Sequence, residues 1–380
     1  MNPVSRVCAV AMRRAGGAES TIFMNDRLVS PLGLRPPLLP ARDMSPTWLD
    51  VDDDFDTAAE RFVRRHQADG AAHDLPVLDL RTWGVAADRE WFSLKPLAGH
   101  EPPLRLRSNA FSALCSRLGA PADFIKALPE PLQMATINYL LSRGERAESA
   151  ILRLRGDQIG AIVSERYAAL DAGDLVGTLR AALARHGLLD AVRVRAVATG
   201  ITDVIRLVLP AEAAPIKVGD TSMVGLDVSS SSFGRSAVHI RGVVWRLACM
   251  NGARMPSSLG DVSLRHIGET QRLRDGLAEG VATALVHARG MMARWRSAVS
   301  SYITGLADYI NGLRELTTGE QQAVRVELGA NKPAELPERV SVYDFVNAVT
   351  QAAHEAEPQR RIEIESLAGG LLLDQTGGPS

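Results

Sequence analysis

Arginine recurs at every second position in two short apolar runs, ILRLR (residues 151–155) and AVRVRAVA (residues 191–198). In an extended strand that spacing places Arg153 and Arg155 on one face, and likewise Arg193 and Arg195. A guanidinium forms paired hydrogen bonds with phosphate and stacks on planar bases, so such rows suit a nucleic-acid backbone. Further along, Lys217, Arg235, Arg241 and Arg246 lie within PIKVGDTSMVGLDVSSSSFGRSAVHIRGVVWRLACMNG (residues 215–252). That segment reads as antiparallel strands about a Gly/Ser-rich turn, in which Ser229 to Ser232 can offer hydroxyls to phosphate and Phe233 a ring to a base. The tetrad Ser164-Glu165-Arg166-Tyr167, at a predicted strand end, adds one cation and one ring. The same residues also have a purely structural reading, in which the serines fill a turn, Glu165 pairs with a neighbouring arginine and Tyr167 closes a sheet edge.

Other chemistries lack their signatures. The chain contains no GxxxxGK[ST], no GxGxxG after a strand, no GxSxG and no HExxH. Cys8, Cys115 and Cys249 are far apart, and the eight histidines form neither HxH nor HxxxH, so neither a metal nor a cofactor is expected. Asn251-Gly252 reads as a turn, with a catalytic asparagine as the minor alternative. Asp157, Glu165 and Asp171 are the closely spaced acids that a nuclease or transferase would need.

The elements that must carry these residues follow from period and punctuation. Residues 108–118 place Phe111, Leu114, Cys115 and Leu118 at helical spacing, and two further helices follow before residue 142. ILRLR, Gly156-Asp157 and QIGAIVS form a hairpin. A helix from about Asp174 to Arg185 and a meander of strands come next. This order predicts an α+β fold: an antiparallel curved sheet, hairpin then helix then meander, with one apolar and one basic face. Residues 269–316 read as one very long helix or two consecutive ones. Ser341 caps a last helix, with Asp344 three residues on. The expected organisation is a disordered extension over 1–43, an α+β core over 44–268, a helical region over 269–356 and a partly disordered tail over 357–380.

Charge is uneven: residues 102–255 hold 19 Arg/Lys against 13 Asp/Glu, although the 380-residue chain has a net charge of −1. No apolar run approaches the roughly 20 residues of a membrane span, and Val7 to Met12 is too short for a secretory core, so a cytoplasmic protein is expected.

Several segments resemble the phage/plasmid-like protein family known as domain of unknown function 932. They are IGAIVSERYAALD, VGDTSMVGLDVSSSSFGRSAV, VVWRLACMNG, VYDFVNAVTQAAHE and AGGLLL, in this order. The resemblance implies a protein of phages, plasmids and integrated elements, with no established reaction. At the level of fold, the order of elements is also similar to phage single-strand annealing proteins.

The expectation is therefore a non-enzymatic, homo-oligomeric protein that binds or anneals single-stranded DNA in mobile-element recombination or replication. Arg153, Arg155, Arg166, Arg193, Arg195, Lys217, Arg235, Arg241 and Arg246 would meet phosphate, and Tyr167 or Phe233 would stack on bases. The alternative is a protein-interaction factor that modulates host defence or replication. Convergence of the arginines on one open groove favours the first. Arginines that map to opposite faces and form salt bridges with local acids favour the second.

Overall fold

Two large sheets, each with its own core, and a separate two-stranded sheet hold the described strands of this α+β fold. The computed structural model describes residues 37–42, 47–68, 70, 72–88, 91–144, 148–246, 251–254, 261–354 and 356–376. Strand β1 (Thr47–Asp54) leads into α1 (Phe55–Ala68), which buries Phe55, Ala58, Ala59 and Phe62 along one stripe. Strands β2 (Ala72–Val77), β3 (Trp83–Asp88), β4 (Trp91–Pro96) and β5 (Leu104–Leu106) precede helices α2 (Ser108–Arg117), α3 (Ala122–Ala127) and α4 (Glu130–Arg143). The expected hairpin is β6 (Ala150–Arg155) and β7 (Gln158–Val163), which turns at Gly156 with φ of 60°, a value glycine adopts without strain. Helix α5 (Ala172–Arg185) follows.

The remaining strands are β8 (Arg193–Thr199), β9 (Asp203–Val208), β10 (Ala214–Lys217), β11 (Asp220–Ser230), β12 (Val238–Arg246), β13 (Asn251–Arg254) and β14 (Val262–Leu264). Asn251 and Gly252, read above as a turn, lie instead in β13 and pair with Arg246 and Trp245, whereas Cys249 and Met250 fall outside the described residues. Of the two readings of residues 269–316, two helices are found, with a short strand between them. Helix α6 (Thr270–Ser297) stops before β15 (Tyr302–Thr304), and Gly305, at φ of 61°, turns the chain into α7 (Leu306–Gly312). After α8 (Thr318–Glu327) and β16 (Arg339–Ser341), the side chain of Ser341 caps α9 (Val342–Ala352) by accepting from the Asp344 N–H. Most of the expected tail is α10 (Pro358–Gln375).

The hairpin and the meander were expected in one sheet, and here they part. The hairpin belongs to a six-stranded sheet of order β2-β6-β7-β5-β4-β3, antiparallel except between β5 and β7. Its apolar face, with Leu152, Leu154 and Ile159, packs under α2 to α4 on Phe111, Leu114 and Ile137. The meander forms the second sheet, ordered β1-β8-β9-β11-β12-β13, with β10 on β11 and β14 on β12. Both edges of β6 are paired, by β2 and β7, and β7 pairs β5 on its other edge, so the hairpin has no edge left to extend the meander.

Val224, Leu226, Ile240 and Val244 of the large sheet pack with Leu277, Val281 and Leu285 of α6. The approach is close: a Cβ at Gly242 would lie 2.5 Å from the Ala284 carbonyl oxygen. Helix α6 thus shares one core with the large sheet and with α9. The opposite face of this sheet is not open. Helix α10 lies against it, and Ile362 packs on Ala198 and Val204. Part of the expected N-terminal extension is also packed, since buried Leu38 donates its N–H to Gln133 Oε1 (2.7 Å). Among the described residues, no helix is long and apolar enough to cross a membrane.

Candidate nucleic-acid interface

Strand parity does place Arg153 and Arg155 together, but on a covered face. Arg153 is 1% exposed; its Nη1 donates to Asp74 Oδ1 (2.9 Å), its Nη2 donates to Asp171, and its guanidinium lies 5.4 Å from the Tyr167 ring centroid. Arg155 is buried too, and its Nη2 lies 3.1 Å from His66 Nδ1. Arginine can only donate, so Nδ1 accepts and the His66 Nε2–H donates to Asp203 Oδ1 (3.0 Å). This relay joins the hairpin to α1 and to the start of β9.

The serine-rich turn closes the same joint. Ser229, Ser230, Ser231 and Ser232 are buried, and Ser231 Oγ donates to the Ile201 carbonyl (2.6 Å). Phe233, expected to stack on a base, lies under Arg155, whose guanidinium is 5.0 Å from its ring centroid. The ring fills the space above Gly160, where a Cβ would come within 2.4 Å of it. Tyr167 is half-buried. Its hydroxyl reaches the carbonyl oxygens of Ser231 (3.3 Å) and Ser232 (3.4 Å), and its ring stacks on His266 with centroids 5.3 Å apart. Burial pushes the Tyr167 phenol up to about 12 and holds the His266 imidazole below its ordinary value. Burial likewise raises Asp171 against the opposing pull of Arg153.

The strand cations are satisfied by nearby acids. Arg195 pairs with Asp52 (2.8 Å), and Arg193 donates to the Asp52 carbonyl (2.7 Å). Lys217 pairs with Asp344 (2.6 Å), which ties one end of the large sheet to α9, and Arg246 pairs with Asp220 (2.7 Å) within the sheet. Arg241 pairs with Asp261 (2.8 Å). Burial works to raise the Asp261 carboxyl, but His239 and Arg241 together hold it below its ordinary value. Arg241 and Arg246 are five residues apart on one strand and so point to opposite faces.

Sequence reasoning missed Arg206, the most deeply buried cation of the large sheet. It is 2% exposed, cross-strand from Asp227, and bound by Glu365 of α10, to which its Nη2 donates (2.6 Å). Arg361 also donates to Glu365 (3.0 Å). A carboxylate set among the apolar residues of the IEIESLAGGLLL stretch was the available signal, because buried charges require partners.

Two of the eleven candidates are exposed, Arg166 and Arg235, and Arg265 joins them. Their side chains have neither an ion pair nor a hydrogen bond among the described residues. Each is next in sequence to a residue that touches Tyr167. Arg166 adjoins Tyr167 itself. Arg235 follows Gly234, where a Cβ would lie 3.1 Å from the Tyr167 ring, and Arg265 precedes the stacked His266. A short backbone bridge between Tyr167 and Ile267 fixes the two segments together. The result is a cationic rim on the outside of the joint.

The acids do not gather into a comparable centre. Asp171 is bound by Arg153, while Asp157 and Glu165 are exposed beyond opposite ends of β7, roughly 20 Å apart. No His/Cys/Asp/Glu group suited to a metal occurs among the described residues. No family model matches the chain, and neither a curated protein nor a solved structure matches it.

Proposed function

We propose that this is a non-enzymatic single-stranded DNA-binding or annealing protein of mobile-element recombination or replication, which meets phosphate at the rim of Arg166, Arg235 and Arg265. The observation that carries this reading is their exposure without partners, in contrast to the sheet cations, which are held by Asp52, Asp220, Asp261, Asp344 and Glu365. Diverting those would break existing ion pairs, whereas the rim loses only water. The mobile-element setting rests on the resemblance of sequence segments alone, since no family model matches the chain. The test is a gel-shift titration with single- and double-stranded DNA at two salt concentrations. Salt-sensitive binding to single strands is expected, and salt-independent binding would rule the rim out.

A second reading is a protein-interaction factor that modulates host defence or replication. It is favoured by the outcome at the sheet, where the arginines pair with local acids and Arg241 and Arg246 face opposite ways, so that the rim alone supports the first reading. Absence of any binding to single strands at low salt would select it.

A further inference from the structure

Ile267 is 54% exposed among the cations of the rim. Arg265 lies two residues before it, and the backbone bridge sets it opposite Tyr167, next to Arg166. A single exposed aliphatic side chain is ordinary on a protein surface. Ile267 differs in how firmly its backbone is held and in what surrounds it.

The backbone is fixed on both sides. The Ile267 N–H donates to the Arg265 carbonyl (2.8 Å), the Gly268 N–H to the Arg166 carbonyl (2.8 Å) and the Ala168 N–H to the His266 carbonyl (3.1 Å). In return His266 Nδ1 donates to the Ala168 carbonyl (3.0 Å), and its ring stacks on Tyr167 within the joint. The segment therefore has little freedom to withdraw Ile267 from water. The surrounding charge is mainly positive. Arg166, Arg235 and Arg265 are exposed, and Glu165 is exposed beside Arg166. The next acid along the chain, Glu269, lies 3.8 Å from Arg272.

Phosphate alone gains nothing from an aliphatic neighbour. Proteins that hold single strands combine cations along the backbone with apolar surface against the bases, because every unpaired base offers an uncovered face. In a duplex those faces are stacked on one another and out of reach. We propose that Ile267 packs on an unpaired base while Arg166, Arg235 and Arg265 hold the flanking phosphates. The three arginines meet the phosphates of single and double strands alike, and Ile267 makes the rim prefer single strands. This rests on the reading of the rim as a DNA-binding surface and adds to it the residue that meets bases.

The test measures fluorescence anisotropy with the full chain at low salt. It compares a labelled oligothymidylate with an abasic oligomer of the same length, which keeps the phosphates and lacks the bases. The wild type is expected to bind oligothymidylate more tightly. Ile267→Ser should weaken that binding about fivefold, as suits an aliphatic side chain only partly covered on binding. It should leave the abasic oligomer and the salt slope unchanged, since no charge is altered. Ile267→Phe should bind oligothymidylate at least as tightly as the wild type, and melting temperatures check the fold of both variants. Equal affinity of the wild type for the two oligomers, no loss in Ile267→Ser, or an equal loss on both oligomers would each overturn the proposal and leave the rim reading in place. Absence of salt-sensitive binding to either oligomer would overturn the rim reading and the proposal with it.

Discussion

Binding of single-stranded DNA should be salt-sensitive, but with a slope set by three cations and not nine. Each phosphate neutralised on a single strand contributes about −0.7 to the slope of log affinity against log salt. The rim offers three cations, Arg166, Arg235 and Arg265, so a slope of about −2 is expected, or about a 20-fold loss between roughly 50 and 200 mM salt. Engagement of the nine basic residues first singled out in the sequence would give about −6 and a loss of several thousand-fold over the same range. The difference is large because six of those nine already have carboxylate or carbonyl partners in the fold and a seventh, Arg155, is held against His66. Fluorescence anisotropy of a labelled oligothymidylate across this salt range measures the slope directly. Arg166→Ala should make it shallower by about 0.7. A wild-type slope near −6 would refute the reasoning, since the sheet arginines would then have to leave their acids on binding.

Three further outcomes follow from the packing. Glu365→Leu strands Arg206 and Arg361 without their shared carboxylate and should cost about 3–5 kcal/mol in urea unfolding; a change below about 1 kcal/mol would mean that the pair is not formed. Gly160→Ala must displace the Phe233 ring and should cost about 1–3 kcal/mol, largely recovered when combined with Phe233→Leu. The Arg360 guanidinium, with the Thr317 backbone N–H, holds Glu320 down to about 2, against an ordinary value of 4.5. A carboxylate depressed on folding stabilises above its unfolded value and loses that contribution as pH falls toward its folded value. The melting temperature of Glu320→Gln should therefore lie below that of the wild type at neutral pH, and the gap should close between about pH 4.5 and 2; a gap independent of pH would contradict the assignment.

The local elements were legible in the sequence where period and punctuation agree. Ile151 to Arg155 alternates, Gly156 takes a positive φ, and β6 and β7 lie where the hairpin was expected. Parity also put Arg153 and Arg155 on one face correctly. Parity is silent about what covers a face. Arg153 meets Asp74, 79 residues earlier, and Arg206 meets Glu365, 159 residues later. Such pairings are set by tertiary packing and leave no trace in local spacing. Strand β2 was not recognised because AHDLPV carries Pro76 and polar residues, which suits an edge strand and hides the alternation. The run 269–316 was open between one long helix and two consecutive ones; the structure has two, α6 and α7, separated by the short strand β15, and Gly305 makes the left-handed turn into α7. The rim was half visible: Arg166 and Arg235 were singled out, whereas Arg265 joins them only through the stacking of His266 on Tyr167.

The most direct test of the account compares two arginine-to-alanine variants under identical low salt. Removal of Arg166, Arg235 and Arg265 together should abolish measurable binding to single-stranded DNA. Removal of Arg193 and Arg195, which are engaged with Asp52, should leave affinity within about twofold. Retained binding by the rim variant, with loss in the Arg193/Arg195 variant, would contradict the account and return the interface to the sheet.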